Sequence, residues 1–444
     1  MTFDNYALLS RRDLLRTTIL FGAAIAASLW VSFQLLQPIP PRRIVLASGP
    51  EAGLYHHYAE RYKVLLAREG VTVVVRPTNG AAENLDLLLD PTSGVDIAFM
   101  QGGVAYPPPA QGIVMLSSLY YEPLWIFYRS GRTLTQLNQL PGLRITVGLP
   151  RSGNRALVLP LLAANNITPD DATLLDVGGE AAFQMLRDDK ADVAMMVGGA
   201  AAATIQKALL DPELKLMNVN RASAYVRRFP FVTRLTLPAG TVDLARDIPA
   251  EEVELIATKA MLAARDGLHP ALINLLLEAV RDVHDDQGYF EAAGQFPNTI
   301  QVDLPVSMDA VRHTRFGTSL LYRTFPFWIA TFLDRTLILI VPLLVVLVPL
   351  INFFPQIVRW RVRSRVYRWY GELALLERDV ASHQGPPPLE RWLATLDRIE
   401  RAAAGIRIPA SFASEAYTLR EHIGFVRRAV EAKGSGAGSA APEG

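Results

Sequence analysis

Several short segments carry residue types suited to holding a small polar molecule. They are Ser48-Gly49-Pro50-Glu51-Ala52-Gly53-Leu54-Tyr55, Pro77-Thr78-Asn79-Gly80-Ala81-Ala82-Glu83-Asn84, Gln101-Gly102, Leu149-Pro150-Arg151-Ser152-Gly153-Asn154-Arg155 and Gly198-Gly199. Glycines let the backbone approach a ligand, and N–H groups at the start of a following helix face an anion. Thr78 and Asn79 add side-chain donors, although the same residues are favoured simply as helix N-caps. Arg151 or Arg155 could pair bidentately with a carboxylate. Removing such a charged hydrogen bond would weaken anion binding by about 1.5–3 kcal/mol, whereas a solvated arginine would contribute nothing. The candidate ligand-binding residues are therefore Gly49, Gly53, Tyr55, Thr78, Asn79, Gly80, Gln101, Arg151, Ser152, Gly153, Asn154, Arg155 and Gly198.

Other chemistry is poorly supported. There is no GxSxG elbow, HExxH pair, GxGxxG or Walker A sequence, so neither an enzyme nor a bound cofactor is expected. His56 and His57 lie within helical reach of Glu60 and could form a metal site, but they read more simply as polar residues on a helix. The chain has no cysteine, which removes disulfides, thiolate ligands, cysteine nucleophiles and lipoprotein anchoring. Basic residues number 44 against 43 acidic ones, a balance that gives no electrostatic case for nucleic acid.

The elements that must position these turns follow a βα rhythm. Strands are expected at Ile44–Ala47, Val71–Arg76 and Val95–Met100, with helices at Leu54–Arg68 and Ala81–Leu89, making a first α/β lobe. The rhythm restarts with a strand at Arg144–Leu149, helices at Arg155–Asn165 and Glu180–Lys190, and a strand at Val193–Val197. Ile113–Arg129 reads as the crossover between lobes and Phe231–Leu237 as the return. Beyond Pro249 the chain reads as mainly helical, including Glu251–Arg265 and Pro270–Asp285, and these helices are expected to back the first lobe. In open α/β sheets ligands sit beyond the carboxyl ends of the strands, where the glycine-bearing turns fall.

Two uncharged stretches set a topology. Residues 17–36 and 336–358 are each long enough to cross about 30 Å of hydrocarbon as helices. Arg11, Arg12 and Arg16 precede the first, and Arg359, Arg361, Arg363, Arg365 and Arg368 follow the second. Positive flanks stay in the cytoplasm, so residues 1–16 and the tail are expected inside and residues 42–330 outside. Ser10-Arg11-Arg12-Asp13-Leu14-Leu15-Arg16 resembles a twin-arginine signal and Ala24-Ile25-Ala26 a cleavage site. Cleavage would leave Leu29–Leu36 on the mature terminus, so an uncleaved signal anchor is the reading adopted. In the tail, residues 359–433, Val366, Trp369, Leu373, Leu376 and Val380 form a helical seam, repeated at Leu389–Leu396 and Phe412–Val430. This predicts three helices that pack or self-associate, followed by a flexible end at 434–444.

The segments taken together resemble the TAXI family of solute receptors that serve tripartite ATP-independent periplasmic (TRAP) transporters. The resemblance covers about Ile44 to Arg315. It rests on Gly49, Gly53 and Tyr55, on Pro77-Thr78-x-Gly80 with Glu83-Asn84-Leu85, and on Val95-Asp96-Ile97-Ala98 leading to Gln101. Val147-Gly148, Ser152-Gly153 and Asp192-Val193-Ala194 extend it. Ala81 and Asn154 depart from the family's usual serine and threonine. The resemblance implies a two-lobed type II periplasmic-binding-protein fold, here flanked by two transmembrane helices and an all-α tail. It also implies capture of a small organic anion, a dicarboxylate or acidic amino acid, and delivery to a TRAP-type permease at the bacterial inner membrane, with the main domain in the periplasm. The second span and tail match the subgroup with a C-terminal membrane helix. The alternatives are a sensor or scaffold acting through a cytoplasmic protein partner of the tail, and an extracytoplasmic enzyme on a binding-protein fold.

Overall fold

The computed structural model describes residues 40–106, 112–318, 320–405 and 413–438, with isolated positions between 19 and 30. The chain divides into two compact units, Ile39–Phe332 on the one hand and Met1–Pro38 with Leu333–Gly444 on the other.

The first unit opens with β1 (Arg43–Ala47), α1 (Leu54–Arg68), β2 (Thr72–Arg76), α2 (Ala81–Leu89) and β3 (Ile97–Gln101). β1 pairs in parallel with both β2 and β3. These strands are short and apolar, and β1 and β2 are each followed by a turn that starts a helix, so a parallel sheet with helical crossovers is the compact solution. β4 (Ile113–Arg129) then runs through both lobes. A second set follows: β5 (Arg144–Thr146), α3 (Gly153–Ala164), β6 (Thr173–Leu175), α4 (Gly179–Arg187), β7 (Val193–Val197), α5 (Ala203–Leu210), β8 (Leu214–Leu216), α6 (Ala222–Arg228) and β9 (Thr233–Leu237). β10 (Val253–Arg265) and α7 (Pro270–His284) return the chain to the first lobe, and α8 (Met308–Phe316) and α9 (Leu320–Thr324) complete it.

The sheet order is β2-β1-β3-β10-β4-β7-β5-β6, with β8 on β4 and β9 on β10. Two antiparallel strands therefore join the lobes. β4 pairs with β10 up to Pro123, opposite Ala257, and from Leu124, opposite Val197, with β7. Proline has no N–H to give a ladder, and it sits where the partner changes. The result is a two-lobed α/β sheet crossed twice between its lobes.

Two expectations are corrected. Glu251–Arg265 is not helical: Val253–Arg265 is the strand β10, and it, rather than Phe231–Leu237, makes the return crossing. The latter segment supplies β9, which pairs with the early part of β10. β10 lies inside the sheet with nearly every residue buried on both faces, so its sequence lacks the alternation of a half-exposed strand, and its alanines read as helical.

Each lobe has its own apolar core. On one face of the first lobe, Leu272, Ile273, Leu276 and Val280 of α7 pack with Tyr62 and Leu66 of α1 over Ile44, Phe99 and Leu262, so α7 backs this lobe. The second lobe buries Ile126, Ile145, Leu161 and Met195 on one face and Trp125, Phe183 and Met196 on the other.

Elements of the second unit are drawn from α10 (Phe327–Ser382), α11 (Leu389–Gly405) and α12 (Ala413–Gly438). Leu373, Leu376 and Val380 share a core with Trp392, Leu396 and Ile399 and with Leu419, Ile423, Val426 and Val430. The heptad-like seams thus pack against each other. Residues 434–438, expected in the flexible end, continue α12; residues 439–444 lie outside the described residues. Among the described residues no helix is long and apolar enough to cross a membrane. The expected span at 17–36 lies outside the described residues apart from isolated positions, as does the twin-arginine-like segment. The one at 336–358 falls in α10, where many side chains are outside them.

Candidate functional site

Strand directions fix where a site can form. β4 is antiparallel to β10, which is antiparallel to β3, so β1, β2 and β3 run toward the second lobe. β7 is antiparallel to β4 and parallel to β5, so both run toward the first lobe. The carboxyl ends of the two parallel sets therefore face each other across the β4/β10 crossing, the position at which α/β sheets hold ligands.

The structure brings three of the expected turns into contact. Gln101 Nε2 donates to the Gly153 carbonyl at 3.0 Å, and Glu83 N donates to the Arg151 carbonyl at 3.1 Å. Gly80 packs on Ser152 and Gly153. A Cβ at Gly153 would run into the Gln101 amide and lie 3.2 Å from Ala81 Cβ, so close approach of the lobes here requires glycine. Cavities of about 280 and 670 Å³ lie elsewhere, around the outer side of α1.

The remaining expected residues divide by what they touch. Thr78 Oγ1 donates to Asn84 Oδ1 at 2.8 Å and accepts from Gly80 N, while Asn84 Nδ2 donates to the Ser48 and Phe99 carbonyls. These bonds tie the ends of β1, β2 and β3 together through a buried asparagine. Asn79 donates through its backbone and side chain to Glu83 Oε2. Ser152 caps α3, accepting from Arg155 N at 3.2 Å. Asn154 braces β7, donating to the Met195 carbonyl at 3.0 Å and accepting from Val197 N at 2.6 Å. Gly198 accepts from Trp125 Nε1 at 2.8 Å, and a Cβ on it would meet no atom within 4 Å. Gly49 is buried beside Tyr55, and Gly53 precedes α1 with no side-chain cap. The first-turn N–H groups of α1 therefore remain available to an anion.

Arg151 pairs with Asp86 of the first lobe and Arg155 with Asp176, so each guanidinium already has a carboxylate of the chain itself. Arg151 also adopts a φ of +64°, uncommon for a residue with a side chain. His56 Nδ1 lies 3.2 Å from Ser48 Oγ, and among the described residues no group of three or more His, Asp or Glu side chains could hold a metal.

Sequence reasoning missed a polar cluster on the crossing strands. Tyr55 Oη donates to Glu122 Oε2 at 2.8 Å, and the Tyr55 ring stacks on Phe99 with centroids 5.2 Å apart. Glu122 is 5% exposed; burial pushes its carboxyl up to about 8, against the opposing Tyr55 bond. Tyr120 Oη, and Thr258 Oγ1 directly across from Glu122, are buried without a hydrogen-bond partner among the described residues. His284 accepts or donates a 2.8 Å bond with Tyr62 and stacks on Tyr120; burial, aided by the charge of Arg61, holds it down to about 3. The available signal was one acid in the otherwise apolar run from Leu119 to Phe127.

The sequence matches the NMT1-like family over residues 46–295. Among solved structures it is similar to the periplasmic aliphatic sulphonate binding protein SsuA from Escherichia coli, at 12% identity over 55% of this chain and 73% of that one, with a TM-score of 0.36. The CcmR regulatory domain of Synechocystis PCC6803 in complex with 2-PG is similar at 13% identity over 55% and 98%, with a TM-score of 0.37. A putative L-cystine ABC transporter protein from Listeria monocytogenes is similar at 13% over 55% and 90%, with a TM-score of 0.36.

Proposed function

The chain belongs to the NMT1-like family, and from that premise we propose that it is an extracytoplasmic solute receptor that holds a small organic anion, a dicarboxylate or an acidic amino acid, between its lobes. The observation that carries this reading is the convergence of the strand ends on one interlobe position, with uncapped N–H groups of α1 beside it. The solute carboxylate lies at those N–H groups, where the helix dipole favours negative charge. Arg151 and Arg155, tied to Asp86 and Asp176, orient the turns.

In this reading residues 17–36 and 336–358 anchor the chain in the bacterial inner membrane. Their arginine flanks are cytoplasmic, the domain faces the periplasm, and the receptor, of TAXI type, passes its solute to a TRAP-type permease. The test is a thermal-shift screen of the full chain against dicarboxylates and acidic amino acids. A ligand at 100 times its Kd adds about 2.7 kcal/mol; no shift with any of them would contradict the reading. In a second reading the tail binds a cytoplasmic protein or itself through the outer faces of the bundle, since its apolar seams are buried against each other. Retention of a cytoplasmic protein only by chains that keep residues 359–433 would support it.

A further inference from the structure

Glu122 is a buried acid at the junction of the lobes that anion capture alone does not use. It lies on β4 one residue before Pro123, where the strand changes partner from β10 to β7. Its one described hydrogen bond is the Tyr55 bond to Oε2, and among the described residues no basic side chain pairs with it. The second lobe closes against this position: a Cβ on Gly199, just past β7, would lie 3.0 Å from the Tyr120 ring and 3.1 Å from Leu54. The Tyr120 and Thr258 hydroxyls, both buried with no hydrogen-bond partner among the described residues, flank the carboxyl on its own strand and on the one opposite. A buried carboxylate without a cation is costly, and buried hydroxyls are ordinarily hydrogen-bonded. One small group rich in N–H donors would answer all three.

We propose that Glu122 is a solute-contacting residue that receives the ammonium group of a bound amino acid, while the solute's carboxylate lies at the start of α1. This rests on the receptor reading above and narrows its solute to a zwitterion. Burial holds the Glu122 proton on at neutral pH in the free protein, so capture of an ammonium releases that proton. The groups around it leave this step to Glu122. Tyr55 and Tyr58 of α1 and Tyr120 of β4 are all raised by burial, and His284 of α7 is held neutral. Glu291, which accepts from Tyr121 N, lies beside Tyr58 and adds negative charge. Lys259 and Tyr121 pair on the opposite face of the crossing.

The experiment is calorimetry on the full chain at about pH 6, 7 and 8 with matched probes, L-glutamate against 2-oxoglutarate and L-aspartate against succinate. The inference expects the amino acids to bind with affinity rising about tenfold per pH unit up to about 8 and with about one proton released to buffer. Glu122→Gln should remove that pH dependence and at least tenfold of amino-acid affinity while keeping 2-oxoglutarate binding. Tyr55→Phe, which deletes the bond that lowers the Glu122 pKa, should move the rise to higher pH. Equal binding of amino and non-amino probes, or an unchanged pH profile in both variants, would overturn the inference and leave the receptor reading standing. Binding of none of the four probes would overturn both.

Discussion

Glu122→Gln should stabilise the two-lobed unit relative to the unsubstituted chain progressively as pH rises. Folding raises the Glu122 carboxyl from its ordinary 4.5 to about 8 because the charged form is desolvated. A folded-state pKa above the unfolded one favours the protonated form. Its stabilisation is fully present below about 4.5 and is lost as pH climbs through about 8. Within that window unfolding releases about one proton, so each pH unit removes about 1.4 kcal/mol. Between pH values of about 5.5 and 7.5 the unsubstituted protein should lose roughly 2–3 kcal/mol against the glutamine variant, which cannot titrate. His284, depressed to about 3, contributes stability that is present above about 6.5 and lost as pH falls. It is common to both proteins and cancels in their difference. Hydrogen exchange of the β4 and β10 amides, measured on both full chains at each pH, reads this difference, because intrinsic exchange rates also cancel. The protection ratio should change by about thirty- to a hundredfold. A ratio flat across this range would refute the claim that Glu122 is buried as an acid without a cationic partner.

Three further outcomes follow from the packing. Arg151→Ala should raise a solute's Kd by no more than about fivefold, because the Arg151–Asp86 pair is more than half exposed and such pairs contribute at most about 1 kcal/mol. A loss of several hundredfold by titration calorimetry would mean that Arg151 holds the solute directly. Gly153→Val should keep the lobes apart, since its side chain meets Gln101 and Ala81; small-angle scattering should then show no compaction when solute is added. Trp392→Ala should cost the tail bundle about 3–5 kcal/mol, as it empties a core position and removes the 2.8 Å bond to Asp379. Circular dichroism should show an early loss of helix that leaves β4 protection unchanged.

Much of the first lobe was legible because β1, β2 and β3 are short apolar runs separated by glycine turns and amphipathic helices. The crossing at β4 was legible too, as a long aromatic and β-branched run that no single lobe accommodates. β10 was not, because a strand buried on both faces and rich in alanine carries neither strand alternation nor strand composition. At the candidate site the sequence marks the turns but not their partners. Asp86 lies 65 residues from Arg151, and only the folded chain pairs them. Glu122 was visible as a lone acid in an apolar run, but its burial and its bond to Tyr55, 67 residues away, are properties of the crossing strands rather than of any local pattern.

The central claim is that a small organic acid is held between the lobes at the ends of β1, β3 and β7. The most direct test compares binding of L-glutamate and 2-oxoglutarate to the full chain and to Gly198→Trp by equilibrium dialysis. Gly198 directly follows β7, with no described atom near its Cβ, so an indole there fills the interlobe position without disturbing the strand. Saturable binding of at least one probe to the unsubstituted chain, lost by a hundredfold or more in the variant, is the predicted result. Equal binding to both proteins would place the solute elsewhere and contradict the account.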